Sequence, residues 1–453
     1  MQTKKITKSI LTPAKILVIG FFLIISLGTF LLSLPISSVN GVRIPFLNAL
    51  FTATSATCVT GLTVLDIGTA FSTFGQVVIA MLVQIGGIGF MTMATLIALV
   101  LNKRISLRER LILQEALNHG TIDGVVRLVK KVILYSLLVE LAGALLLAVH
   151  FFFSLHLSLG RSAYFGIFHS ISMFNNAGFD LMGTVNGPFS GMVPFVQDPF
   201  INIVMMGLIF LGGIGFIVLS DLIDFPNTRK LSLHSKVVLT ATLLLIVIGT
   251  LVIFAMEFSN PSTLKPLHAG GKFLASMFQS VTTRSGGVAT LDIGAFRQST
   301  QFMLILLMFT GAAPGSTGGG IKITTFVLLL GAVYAMIRGR EDVVLFRKRI
   351  AKDVVYKAIT LTLLSLLLII VFSMLLSITE HQDFMTILFE STSAFGTTGL
   401  SMGMTTHLSA LGKVWIICLM FFGRIGPLTL VYALSRDRKK DLYNYPEGRI
   451  IIG

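Results

Sequence analysis

The sequence predicts an all-α integral membrane protein of four parallel repeats, each a span, a half-helix, a loop and a second span, set around a pseudo-fourfold axis. Three observations predict it. The 453 residues are 54% hydrophobic and 12% charged, with a mean hydropathy of +0.88, whereas a soluble protein carries about 25% charge. A short polar stretch recurs four times at a nearly constant period: SATCVTG (Ser55–Gly61), SMFNNAG (Ser172–Gly178), SVTTRSG (Ser280–Gly286) and SAFGTTG (Ser393–Gly399). Self-similarity at a fixed period is the signature of a repeat architecture. Finally, basic residues gather on one side of the apolar segments. Of the 35 lysines and arginines, only Arg43, Arg161, Lys265, Lys272, Arg297 and Lys413 fall on the side of the half-helices. That asymmetry orients membrane proteins and places both termini and the inter-repeat loops in the cytoplasm.

The elements follow in order. Residues 1–101 form the first repeat: a basic start, a span from Ala14 to Ile36, a half-helix from Arg43 to Ala56, the loop to Gly61 and a span from Gln76 to Leu101. A span needs about 20 apolar residues to cross the hydrocarbon core. The segment carrying Phe46, Leu47, Leu50 and Phe51 at helical spacing is too short, which predicts a re-entrant half-helix. Residues 102–222 form the second repeat. Its basic lead, Asn102 to Lys131, holds a helix-start capping box at Ser106–Glu109. Spans follow at Val132–Leu157 and Phe200–Leu222 around a half-helix at Ser162–Phe174, and Pro226 marks the loop beyond. Residues 223–337 form the third repeat, with a span at Val237–Phe258, a half-helix at Gly270–Val281 and an interrupted span at Phe302–Ile337. Residues 338–453 form the fourth, with spans at Ala358–Ile378 and Val414–Leu434, a half-helix at Phe384–Ala394 and a basic tail from Ser435. The apolar end, Ile450 to Ile452, is suited to docking on a second protomer. Parallel repeats exclude an inverted-repeat transporter.

Other classes fall away. The net charge of +15 comes from residues flanking spans and does not point to nucleic acid. Cys58 and Cys418 lack ligand spacing, and His119, His169 and His407 are isolated. No P-loop pattern is present, so the chain is predicted to be neither an enzyme nor itself a nucleotide binder. The N-terminus lacks a small-residue cleavage site and reads as a retained first span.

The recurring stretch carries the chemistry. Non-helical backbone is tolerated at membrane depth only under protein or water. A neutral, hydroxyl-rich loop ending in glycine suits carbonyls turned toward a cation that has shed its water. The candidate ion-binding residues are Thr57, Cys58, Val59, Thr60 and Gly61; Phe174, Asn175, Asn176, Ala177 and Gly178; Thr282, Thr283, Arg284, Ser285 and Gly286; and Phe395, Gly396, Thr397, Thr398 and Gly399. They would act through backbone oxygens alone, with each half-helix turning its negative C-terminal end to the axis. One glycine per loop, against the paired glycines of a potassium-channel filter, predicts fewer well-formed ion sites and weaker discrimination against sodium than such a filter has.

Gly311, Ala312, Ala313, Pro314, Gly315, Ser316, Thr317, Gly318, Gly319 and Gly320 cannot remain helical, since each glycine costs about 1 kcal/mol against alanine and proline about 3. The span must break there and lay a loop below the filter as a gate. Lys322 and Arg424 are intramembrane charges, which are usually functional. Arg424 takes the place of Gly87 and Gly213 in the first two repeats, where it would face the path and touch the gate. Glu140 and Glu390 read as buried structural partners, and Arg284 is expected to turn from the axis toward an acid such as Glu390 or Asp292. The glycine runs of the first two repeats suggest close helix packing.

The whole chain resembles the Trk/Ktr/HKT superfamily of potassium transporters, most of all the membrane subunit of the bacterial Ktr system. The resemblance rests on the four loops and on QIGGIGF (Gln84–Phe90), LGGIGF (Leu211–Phe216), GAAPGSTGGGIK (Gly311–Lys322) and FGRIGP (Phe422–Pro427). It implies K+ uptake, Gly61, Gly178, Gly286 and Gly399 as filter glycines, a homodimer, and control by a cytosolic ring of nucleotide-binding subunits. The third loop departs in having Gly287 directly after its glycine. Na+ is a second possible ion. The competing class is an ion-coupled secondary transporter with alternating access, which needs paired carboxylates at mid-membrane, where Glu140 stands alone. A scaffold without transport leaves the four loops unexplained.

Overall fold

The computed structural model describes residues 12–89 and 125–427, with isolated positions beyond them. The capping box, most of the basic segment around it and the tail from Ser435 lie outside the described residues.

Among the described residues, four helices are long and apolar enough to cross a bilayer: α1 (Pro13–Leu32), α4 (Val125–Ser154), α8 (Leu233–Glu257) and α12 (Lys352–Thr379). They open the four repeats and stand outermost. On α1, Phe22, Leu23, Leu27 and Phe30 are exposed while Leu17, Ile25 and Leu32 are buried. A soluble helix would place polar residues on its outer face; these side chains meet hydrocarbon instead.

Each long helix is followed by a half-helix: α2 (Phe46–Cys58), α5 (Leu159–Phe174), α9 (Ala269–Thr282) and α13 (Phe384–Gly396). Their C-terminal turns are buried through and through, from Phe51 to Cys58 in α2 and from Phe389 to Gly396 in α13. The chain then returns through an outer loop to a second helix: α3 (Thr73–Ile88), α6 (Pro199–Gly213), α10 (Gln298–Phe309) and α14 (Ala410–Ile425). Starts are set by caps. The Ser72 and Ser409 hydroxyls accept from the amides of Gly75 and Gly412, at 3.3 and 3.0 Å. Asp198 does the same ahead of Pro199, which suits a first helical position.

Each of these second helices stops short of a full span. Gly89, Gly215 and Gly426 take nearly the same conformation, with φ of 90°, 90° and 86°. In the second repeat the chain turns by 102° into α7 (Phe216–Thr228). The span expected at Phe200–Leu222 is thus bent rather than continuous, because Gly215 occupies backbone angles that L-residues avoid. Pro226, expected in a loop, lies inside α7. In the third repeat α10 ends at Phe309 and α11 (Ile323–Ile337) begins after the glycine-rich segment. Beyond α11, a two-stranded antiparallel hairpin, β1 (Val344–Leu345) with β2 (Lys348–Arg349), stands where only a basic loop was expected.

Candidate functional site

The four half-helices deliver their loops to one point. Two residues before each terminal glycine stands a residue in the left-handed region: Val59 (φ 58°), Asn176 (59°), Ser285 (63°) and Thr397 (47°). Such backbone costs on the order of 1–3 kcal/mol per residue and persists where the surroundings over-determine it. The glycines that follow, Gly61 (φ 92°), Gly178 (71°), Gly287 (72°) and Gly399 (87°), also have positive φ. A Cβ on Gly399 would lie 2.9 Å from the Gly287 Cα and 3.1 Å from the Gly61 Cα, and one on Gly287 would lie 2.7 Å from the Gly178 Cα. The four glycines are thus neighbours in a closed ring, in chain order. The carbonyl oxygens of Thr60, Ala177 and Thr398 abut the glycines of adjacent loops.

The third loop corrects the sequence reading by one residue. Gly286 is absent from the ring; the atoms nearest its Cβ would be those of Thr282 in its own loop, with Cα at 2.7 Å. Gly287 has the positive φ and the cross-loop contacts. Counting from the opening serine misplaces the position because this loop carries one more residue between the serine and the ring. The equivalent side chains are therefore Cys58, Asn175, Arg284 and Gly396.

All the candidate loop residues are buried. The side-chain hydroxyls of Thr57, Thr60 and Thr398 find no hydrogen-bond partner. Buried polar groups are rarely left so, and orphaned oxygens around a ring of carbonyls offer lone pairs to a cation. Above the ring opens a cavity of about 270 Å³ lined by Gly61, Gly178, Gly287 and Gly399 and by Asp66, Asp180 and Asp292. Asp66 and Asp180 were missed in the sequence and Asp292 was considered only as a partner for Arg284; their offset of five or fewer residues past the first three ring glycines was the one hint. The Asp66 carboxylate accepts from Thr69 and from the Phe189 amide at 2.8 Å. Burial above all, with Asp66 nearby, pushes the Asp180 carboxyl up to about 6.

Below the ring, glycines let the second helices press against the loops. A Cβ on Gly86, Gly212 or Gly423 would collide with the carbonyl oxygen of Thr57, Phe174 or Phe395. The glycine runs thus serve helix-to-loop contact, beyond the helix-to-helix packing expected of them.

The segment Gly311–Gly320 lies across this inner face. The Thr317 hydroxyl donates to the Phe174 carbonyl at 3.3 Å, and the Gly319 amide donates to the Thr397 hydroxyl at 2.9 Å. The amides of Ala313 and Thr317 donate to the carbonyls of Gly213 and Gly212, at 3.0 and 3.3 Å. The Phe216 amide donates back to Gly315 at 2.8 Å. Lys322 closes the segment on itself, its ammonium donating to the Gly318 carbonyl at 2.7 Å. Arg424 bridges from the fourth repeat, its guanidinium donating to Thr317 in the segment and to the carbonyls of Gly86 and Gly87 in the first.

Arg284 does not meet an acid. It donates to the Gly311 carbonyl at 3.3 Å, because Glu390 is taken by Ser401, the Met402 amide and Thr405, and Asp292 by the Gly294 amide. Glu390 thereby pins the chain that returns from the fourth loop. Glu140 accepts from Gln84 and Asn175.

A family model described as TrkH, cation transport protein, matches residues 3–442. The chain is 45% identical to the Ktr system potassium uptake protein B of Bacillus subtilis (strain 168), over the full length of both. It is 39% identical to protein D of the same system in that organism, over 98% of each chain. It is 37% identical to the potassium/sodium uptake protein NtpJ of Enterococcus hirae, over 99% of each. Among solved structures, the potassium transporter TrkH of Vibrio parahaemolyticus superposes with a TM-score of 0.73 at 19% identity, covering 95% of this chain and 86% of that one.

Proposed function

The chain belongs to the TrkH family of cation transport proteins, and from that premise we propose that it is the K+-conducting membrane subunit of a potassium uptake system. The observation that carries this reading is the ring of Gly61, Gly178, Gly287 and Gly399, brought from four loops to one axis under a cavity with three carboxylates. The carboxylates raise the local cation concentration. The ring carbonyls replace the water of a monovalent ion, and the electrical potential drives it inward at about 2.3 kcal/mol per charge per 100 mV.

The segment Gly311–Gly320 is the gate. It lies directly under the loops and is held by hydrogen bonds that a change of partner contacts can exchange, with Arg424 as its clamp. Nucleotide control falls to a cytosolic ring of separate subunits, as the resemblance to the Ktr family implies. The subunit works as a homodimer with both termini cytoplasmic. Na+ is the competing ion, as the name of the Enterococcus relative suggests.

The test is uptake of K+, Rb+ and Na+ by the purified protein in liposomes under an imposed potential, with and without a nucleotide-binding ring. Selective K+ and Rb+ uptake that responds to the ring is expected. Absence of flux in both conditions from correctly folded protein refutes the reading.

A further inference from the structure

One buried carboxylate has no part in the path just described. Glu140, midway along α4, is 6% exposed. The ion pairs among the described residues do not include it. An ionisable residue inside a membrane protein is costly to bury and usually has a function.

Its surroundings indicate that work. The Gln84 amide, on α3 of the first repeat, donates to both Glu140 oxygens at 3.0 and 2.9 Å. The Asn175 amide donates to Glu140 at 3.0 Å, to the Gln84 oxygen at 2.8 Å and to the Ile171 carbonyl at 2.9 Å. The Ser170 hydroxyl on α5 holds the Glu140 backbone carbonyl at 2.6 Å. Gly87 leaves room for this arrangement, since a Cβ there would strike the Asn175 side chain. Asn175 is the residue at which α5 ends, directly before left-handed Asn176 and three before ring glycine Gly178. The equivalent positions in the other loops hold Cys58, Arg284 and Gly396, so this anchor is particular to the second loop.

We propose that Glu140, acting through Gln84 and Asn175, is a positioning residue for ion specificity: it holds the second loop at the spacing that favours K+ over Na+. The peptide planes around Asn175 are set by a side-chain amide whose two hydrogens are shared among three acceptors. A carboxyl group with two oxygens is the acceptor that can take the Gln84 and Asn175 amides together. The triad also joins α3 of one repeat to the loop of the next, so the second loop keeps its place relative to the first.

This inference rests on the reading of the loops as a filter. The experiment uses the full-length protein in liposomes and the ratio of K+ to Na+ uptake. Glu140→Gln keeps the size but turns a donor toward two donors. It lowers the ratio by about fivefold or more, the equivalent of one hydrogen bond. Gln84→Met changes the ratio in the same direction, and the double variant goes no further than the larger single effect, as for residues acting in one chain. An unchanged ratio in Glu140→Gln with normal folding overturns the proposal. If that variant does not fold, an unchanged ratio in Gln84→Met overturns it instead. Gly61→Ala and Gly399→Ala serve as controls: if they too leave the ratio unchanged, the filter reading has failed, not the role of Glu140 alone.

Discussion

The one-residue correction in the third loop makes a discriminating prediction. Alanine is placed at Gly286 in one variant and at Gly287 in another. At Gly287, φ is +72°, where an L-residue pays roughly 1–2 kcal/mol. Its Cβ would also lie 2.7 Å from the Gly178 Cα and 3.0 Å from the Thr398 carbonyl oxygen, both backbone atoms of other loops. Overpacking of that kind adds about 1–3 kcal/mol, and it is relieved only by spreading the ring. At Gly286 the φ is not in the left-handed region, and the Cβ would lie 2.7 Å from the Thr282 Cα of the same loop, so its clash falls within one loop and does not press the loops apart. The excess strain at Gly287 is therefore about 1–2 kcal/mol from the backbone alone. Taken from the K+ site as the ring widens, that is a fall of roughly 5–30-fold in preference over Na+. The assay is competition of Na+ with Rb+ uptake in a strain that lacks its own K+ uptake, with membrane levels of each variant checked by immunoblot. Gly287→Ala should lose most of its preference and Gly286→Ala much less. Equal losses, or a larger loss at Gly286, would refute the ring as described.

Three further outcomes are expected. Arg424→Gln removes a charged donor to three backbone carbonyls, contacts worth about 1.5–3 kcal/mol each, and should raise flux in liposomes without the cytosolic ring; unchanged flux would mean that the clamp does not hold the gate. Thr317→Val keeps the volume but frees the Phe174 carbonyl, so apparent K+ affinity should shift while basal flux also rises, and a shift in neither counts against contact between gate and filter. With its carboxyl raised to about 6, Asp180 is charged at pH 7 and becomes neutral as pH falls through 6. Uptake at low K+ should then decline between pH 7 and pH 5, and Asp180→Asn should flatten that decline; a decline of the same size in the variant excludes Asp180 as its source.

Much of the architecture was legible in the residues. Four long apolar runs, four segments too short to cross and four matched loops predict the repeat, and the structure contains each of them. The break after Phe309 was also legible, because no helix survives the glycines and proline of Gly311–Gly320. The 102° turn at Gly215 was not, since a single glycine inside an apolar run costs little and the same letters fit a straight span. The partner of Arg284 was misjudged for a related reason. Charge complementarity suggested an acid, but buried Arg284 meets the Gly311 carbonyl, while Glu390 is held by Ser401, Met402 and Thr405 and Asp292 is exposed and caps Gly294.

Hydropathy and period are properties of the chain, so the sequence alone determined that this protein crosses a membrane in four like units and where each brings its polar loop. Which glycine of the pair at 286 and 287 closes the ring is a question of backbone angle and of contact with loops more than a hundred residues away. The joining of Glu140, Gln84 and Asn175 into one anchor is a question of the same kind. Only the tertiary structure decided them, because close packing of four separate segments selects one register among several that local chemistry permits.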